Sequence, residues 1–245
     1  MKKYIYRIKK ALSKPEFTKI LALRTIGNFL VLSSLFLIAK TFYLPAREEI
    51  RYFIDRTIQK KYIVADTPYQ LEDGRMQDGN RPKGLLAKAL NLNDVEFLVP
   101  ADPDFSVVIP KIGANARILS NIDASDDKVY LNALNKGVAH ALGTKFPGES
   151  GHIFLFAHST DYFWNVGTYN AIFYLLNKLV KGDEVDLFYN GQRYVYRVIS
   201  SVIADPDQVE YLTRKSNKEF LTLQTCWPPG TTLKRLLVFA SRVSE

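Results

Sequence analysis

The chain is predicted to be a mostly β protein, an antiparallel barrel or sandwich, carried behind one membrane-spanning helix. Three observations predict this. A basic tail precedes a long apolar run, short β-rich segments dominate from Phe105 onward, and no regular alternation of strands with helices suggests a parallel α/β sheet.

The apolar run extends from Ile20 to Tyr43, which is 24 positions. A helix needs about 20 mostly apolar residues to cross the hydrocarbon core. The run ends Leu37-Ile38-Ala39-Lys40, and the bulky Phe42-Tyr43 make a poor cleavage site. An uncleaved signal anchor is therefore expected over residues 20–43. The formal net charge of +8 is concentrated before it. Lys2, Lys3, Arg7, Lys9, Lys10, Lys14, Lys19 and Arg24 face one acid, Glu16, within residues 1–24. Residues 25–245 carry 25 basic and 24 acidic groups. A nucleic-acid binder spreads its cations over a folded face, so this distribution argues against nucleic acid and for membrane topology. The basic tail, residues 1–19, is expected in the cytoplasm, and the remainder of the chain outside the cell.

From Arg47 to Val64, Ile50, Phe53, Ile54 and Ile58 recur at helical spacing. This segment predicts a helix within an extracellular stalk and linker over residues 44–99. Residues 66–81 read as a polar loop and Leu85–Leu92 as a short helix. A folded domain is expected over residues 100–245. Strands are predicted at Phe105–Ile109, Lys128–Leu131, Ile153–Ala157, Val185–Tyr189, Tyr194–Ile199, Phe220–Cys226 and Leu233–Ala240. Asn190-Gly191 marks a tight hairpin between two of them. Ile172, Leu175, Leu176 and Leu179, with Gly182 following, predict one helix. Asp102-Pro103-Asp104-Phe105 reads as a turn before the first of these strands.

Cys226 is the only cysteine, so an intrachain disulfide and a four-thiolate metal site are excluded. A lone cysteine is usually a small buried hydrophobe. This one ends the strand Leu221–Cys226 and is followed by Trp227-Pro228-Pro229-Gly230, which stops the strand. Such a position suits a reachable nucleophile. Arg235 lies nine residues on, near the start of the next strand. In a hairpin its guanidinium would approach Cys226, where it favours thiolate and stabilises an oxyanion. Of the three histidines, His158 ends the apolar strand Ile153–Ala157. His152 begins it, and His140 lies in a segment of undefined position.

Thr222-Leu223-Gln224-Thr225-Cys226 followed by Arg235-Leu236-Leu237-Val238 resembles the active-site signature of the sortase family. Ile109–Gly113, Gly137–His140 with Gly143-Thr144 and Pro147-Gly148, and Phe156-Ala157-His158-Ser159 are similar to other family segments, in the same order. The resemblance covers about residues 100–245. It departs at Ala157, where the family commonly has glycine. It implies an eight-stranded sortase-type β barrel with few short helices; the family's metal-binding features do not carry over to this sequence, and no cofactor or metal is expected. It also implies a membrane-anchored cysteine transpeptidase with Cys226 as nucleophile, His158 as proton-transfer group and Arg235 as electrostatic stabiliser, and Thr225 near substrate. The implied partners are surface proteins bearing a sorting signal similar to Leu-Pro-x-Thr-Gly, and an amine acceptor such as a cell-wall peptide or a pilin lysine. A surface cysteine protease with the same Cys–His pair, or a non-catalytic binding domain on the same barrel, remains open on sequence alone.

Overall fold

The computed structural model describes residues 15–65, 95–159 and 172–243. The predicted helix Leu85–Leu92 lies outside them. A helix α1 (Pro15–Thr57) is followed by strands β1 (Lys61–Val64), β2 (Val95–Leu98), β3 (Phe105–Ile109) and β4 (Ala114–Ile122). A helix α2 (Asp127–Leu134) leads to β5 (Val138–Ala141), β6 (His152–Phe156), β7 (Glu184–Tyr189), β8 (Gln192–Ala204), β9 (Phe220–Trp227) and β10 (Lys234–Arg242). The chain divides into two compact units, residues 1–46 and 47–245.

In the first unit, Glu16–Tyr43 is long and apolar enough to cross a membrane, and none of it is buried in protein. Its large side chains, among them Leu23, Phe29, Leu32 and Phe36, are exposed all round, as expected of a helix whose solvent is lipid.

The second unit holds the two-stranded β1–β2 sheet and a closed eight-stranded barrel in the order β10-β8-β7-β3-β4-β5-β6-β9. Its interior is filled by inward-pointing residues such as Val107, Leu155, Leu187, Leu221, Leu223 and Val238. Alternate residues of the same strands point outward. On the β5–β6–β9–β10–β8 side, Ala139, Phe154, Phe156, Leu237 and Phe239 form a second cluster, covered by Ala133 and Leu134 of α2. Asn190 and Gly191 both take positive φ in the β7–β8 turn, as the Asn-Gly pair demands.

Four sequence expectations need correction. Lys128–Leu131 is helical, not a strand. The Asp126 carboxylate caps α2 by accepting from the Lys128 and Val129 N–H groups at 2.9 and 3.2 Å, and that cap outweighs the β-branched and aromatic residues behind it. The helix expected over residues 47–64 ends at Thr57. Gln59 adopts φ 53°, Lys60 N–H returns to Asp55 O at 2.8 Å, and Lys61–Val64 then pairs in parallel with β2. Over the described part of the predicted helix at 172–179 there is only a turn and a short 3-10 segment, Leu176–Lys178. Its helical spacing reflects Phe173, Leu175, Leu176 and Leu179 packing into the barrel core. Finally, β4 and β5 are strands in segments not read as such, and two of the eight barrel pairings, β4–β5 and β6–β9, are parallel.

Asp102–Phe105 is a turn, as expected: Asp104 N–H donates to Asp102 Oδ1 at 2.9 Å. The turn accepts the Asn190 and Gly191 N–H groups from the hairpin tip. Since β8 carries Gln192 at that end and Ala204 beside Arg235, this turn and Cys226 lie at opposite ends of the barrel.

Candidate active site

Three strands bring Cys226, His158 and Arg235 together. β9 and β10 are antiparallel, and their register places Arg235 directly opposite Cys226. Paired residues in such a ladder project to the same face. That face is the outer one, because Leu237 and Phe239 follow Arg235 at two-residue steps into the outer cluster. β6 and β9 run parallel, with Phe156 registered to Gln224. The ladder continues past the formal end of β6: Ala157 N–H donates to Gln224 O at 3.1 Å. Two residues beyond the Phe156–Gln224 pair stand His158 and Cys226. They therefore share the outer face on adjacent strands, whose axes lie about 4.8 Å apart. His158 and Cys226 are both partly exposed.

Thr225 secures this junction. Its side chain is buried, and its hydroxyl donates to Ala157 O at 2.9 Å. The hydroxyl expected near substrate is thus committed to the backbone immediately before His158. Thr225→Val should leave that carbonyl unpaired, lowering stability by about 1–2 kcal/mol. Thioacyl formation should also slow, and Thr225→Ser should restore both. Urea unfolding beside single-turnover kinetics tests this; unchanged rates in Thr225→Val would remove the positioning role.

Arg235 is held by its own turn. Its NH1 donates to Thr232 O and Lys234 O at 3.0 and 3.1 Å, leaving Nε and NH2 without a partner among the described residues. Burial pushes the Cys226 thiol above its ordinary range, and the Arg235 charge pulls it back part of the way. Before substrate binds, the thiol is accordingly mostly protonated at neutral pH.

The other two histidines sit elsewhere. His140 is a fully buried β5 residue. Its Nδ1 accepts from Asn121 N–H at 3.3 Å, and Nε2 meets Lys145 O and Thr144 Oγ1 at 3.0 and 2.9 Å. It packs between Phe105 and Phe146. His152, at the other end of β6 from His158, has Nε2 at 2.8 Å from Thr222 Oγ1 and its ring against Phe154 and Phe220. Burial, aided by the Arg214 charge, lowers its pKa to about 4.

His152 consequently binds its proton more weakly folded than unfolded. Stability should be unaffected above pH about 6.5 and fall as pH drops toward 4, by about 3 kcal/mol at most from this residue. His140, also lowered by burial, acts in the same sense. Asp186, raised to about 6 by burial despite Arg193, acts in the opposite sense. The comparison of wild type with His152→Gln isolates the histidine. The variant's urea midpoint should fall less between pH 7 and 4.5, and equal slopes would refute the assignment.

Sequence reasoning did not find the Thr225–Ala157 bond, the Thr222–His152 pair or Gln224, which lies partly exposed between Phe156 and Leu237 on the outer face. The period-two alternation of β9 was the available signal. Among the described residues no group of three or more His, Cys, Asp or Glu could hold a metal ion.

Residues 107–243, more than half the chain, match the Sortase domain family. The chain belongs to the sortase family. It is 32% identical over 139 residues to Sortase D of Bacillus subtilis (strain 168), and the match covers 56% of this chain and 62% of that protein's length. Among solved structures it resembles sortase C-1 of Actinomyces oris, with 32% identity, 59% of this chain and 76% of that one covered, and a TM-score of 0.49. It also resembles Sortase C1 of GBS Pilus Island 1, with 26% identity, 82% and 83% covered, and a TM-score of 0.49. The family match and the closed eight-stranded barrel agree with the fold implied by the Thr-Leu-Gln-Thr-Cys segment of this sortase.

Proposed function

We propose that this sortase is a cell-surface cysteine transpeptidase that cleaves a sorting motif similar to Leu-Pro-x-Thr-Gly and passes the acyl group to an amine. The observation that carries the reading is the strand register, with Arg235 opposite Cys226 and His158 beside it on the same face.

Cys226 Sγ, as thiolate, attacks the Thr carbonyl carbon of the Thr–Gly bond, and the oxygen takes the negative charge. The Nε and NH2 donors of Arg235, unpartnered among the described residues, suit that oxygen or the neighbouring substrate backbone. The C–N bond then breaks. The leaving amine takes a proton from the His158 imidazolium, leaving a thioester on Cys226. An incoming amine gives a proton to His158 and attacks the thioester carbon, forming the new amide and releasing the Cys226 thiolate. Because burial keeps the thiol mostly protonated, the reactive thiolate–imidazolium pair is a minority form, favoured by the attraction between its two charges and by the Arg235 guanidinium.

The substrates in this reading are surface proteins bearing the motif, and the acceptor is a cell-wall peptide or pilin lysine. The chain is held by Glu16–Tyr43 in the membrane, with the basic tail in the cytoplasm and the barrel outside. Mass spectrometry of the purified protein with Leu-Pro-x-Thr-Gly peptides and candidate amines tests the reading. A peptide adduct on Cys226 that is resolved by amine supports it. Release to water alone, whatever the amine, would make the protein a protease. No adduct with any such peptide defeats the motif assignment.

A further inference from the structure

The part of α1 that belongs to the barrel unit has two faces. Glu48, Arg51, Tyr52 and Asp55 face the barrel. Glu48 is buried, Arg51 NH2 donates to Ile112 O at 3.1 Å, Tyr52 packs against the core, and Asp55 accepts from Tyr62 Oη at 2.6 Å. The opposite face carries Ile50, Phe53, Ile54 and Ile58, which are 58, 70, 49 and 47% exposed. Four large apolar side chains at i, i+3, i+4 and i+8 form a stripe that no described part of the chain covers. By helical projection Arg47 stands on the line of the stripe, one turn before Ile50, and Arg56 borders it beside Phe53; both are exposed.

We propose that this stripe lies on the membrane surface, with the apolar residues entering the acyl boundary and Arg47 and Arg56 reaching anionic headgroups. The inference goes beyond the transpeptidase reading and does not depend on it. It does rest on Glu16–Tyr43 being in the bilayer. Three points select lipid as the occupant. First, Ile58 is only 15 residues beyond Tyr43 and the stripe begins seven beyond it. At about 1.5 Å per residue it is tethered within roughly 22 Å of the span's end. Second, Pro45 lies inside α1. It removes one backbone hydrogen bond where the span meets the stripe, which permits the helix to turn toward the interface plane. Third, an apolar stripe with one arginine at its N-terminal end and another at its side is the pattern of an interfacial helix. In a parallel pair formed by two copies, each Arg47, on the line of the stripe, would approach its own counterpart, which disfavours the symmetric dimer.

The test uses the full chain in vesicles of phosphatidylglycerol and phosphatidylethanolamine. In a Cys226→Ser background, single cysteines replace residues 49, 50, 53, 54 and 56 in turn and carry an environment-sensitive fluorophore. Quenching by spin-labelled lipid is then measured. Positions 50, 53 and 54 should be quenched at least several-fold more than 49 and 56. Lys136→Cys, on the barrel surface, should be unquenched. Quenching that merely declines with distance from residue 43 means that the helix stands off the membrane and overturns the proposal. So does disulfide dimer formation by Phe53→Cys without lipid quenching, which assigns the stripe to a second copy. Leu30→Cys separates the two premises: if it too is unquenched, the span is not seated in lipid and the proposal falls with it.

Discussion

Cys226→Ala is expected to abolish acyl transfer while leaving the barrel folded. Cys226 is the sole thiol, so no second cysteine can substitute for it. It is only partly buried at a strand end, and its neighbours in the ladder are fixed by main-chain bonds that alanine retains. The stability change should therefore stay within about 1 kcal/mol, while thioester formation falls to background. Near-UV circular dichroism and urea unfolding report the fold, and intact-mass analysis with peptide reports the thioester. A thiol-reactive probe should label wild type once and the variant not at all. Full turnover in the alanine variant would defeat the mechanism at its first step.

His158→Ala should cost about a thousandfold in turnover, within the range of about 10²–10⁴ for general acid–base groups. His140→Ala and His152→Ala should act differently. His152 and His158 are six residues apart on one strand, about 20 Å. His140 is enclosed between β4, Phe105 and Phe146, with both ring nitrogens bonded. Their truncation removes buried contacts and should lower stability by roughly 2–4 kcal/mol, with turnover per folded molecule little changed. Measuring thioester formation and amine release separately, normalised to folded protein, distinguishes the two classes. Near-normal turnover in His158→Ala, with loss confined to either of the others, would reassign the proton-transfer residue.

These expectations show which parts of the site could be read from sequence. The Cys226–Arg235 juxtaposition was legible because it is local. A short connection with two prolines between two apolar strands makes a hairpin, and a hairpin forces the two strand ends together. The β7–β8 hairpin was legible for the same reason, through Asn190-Gly191. The approach of His158 to Cys226 was not legible from spacing, because it depends on parallel pairing between strands 68 residues apart; only family resemblance indicated it. β4 escaped notice because its inward positions Ala114 and Ala116 are small, and β5 because four buried residues carry no alternation. At α2 the strand-like residues Val129-Tyr130-Leu131 were overruled by the Asp126 cap.

The parallel seam between β6 and β9 also has a kinetic consequence. Parallel neighbours cannot be joined by a tight turn, so this pairing closes a loop of more than sixty residues and defers its reward until late in folding. β10, by contrast, can zip onto β9 early. The thiol and the guanidinium should therefore meet before the imidazole arrives. A folding chain would then carry a cysteine whose environment changes twice. Pulse labelling of Cys226 during refolding should resolve those two events, making the nucleophile a built-in timer of barrel closure.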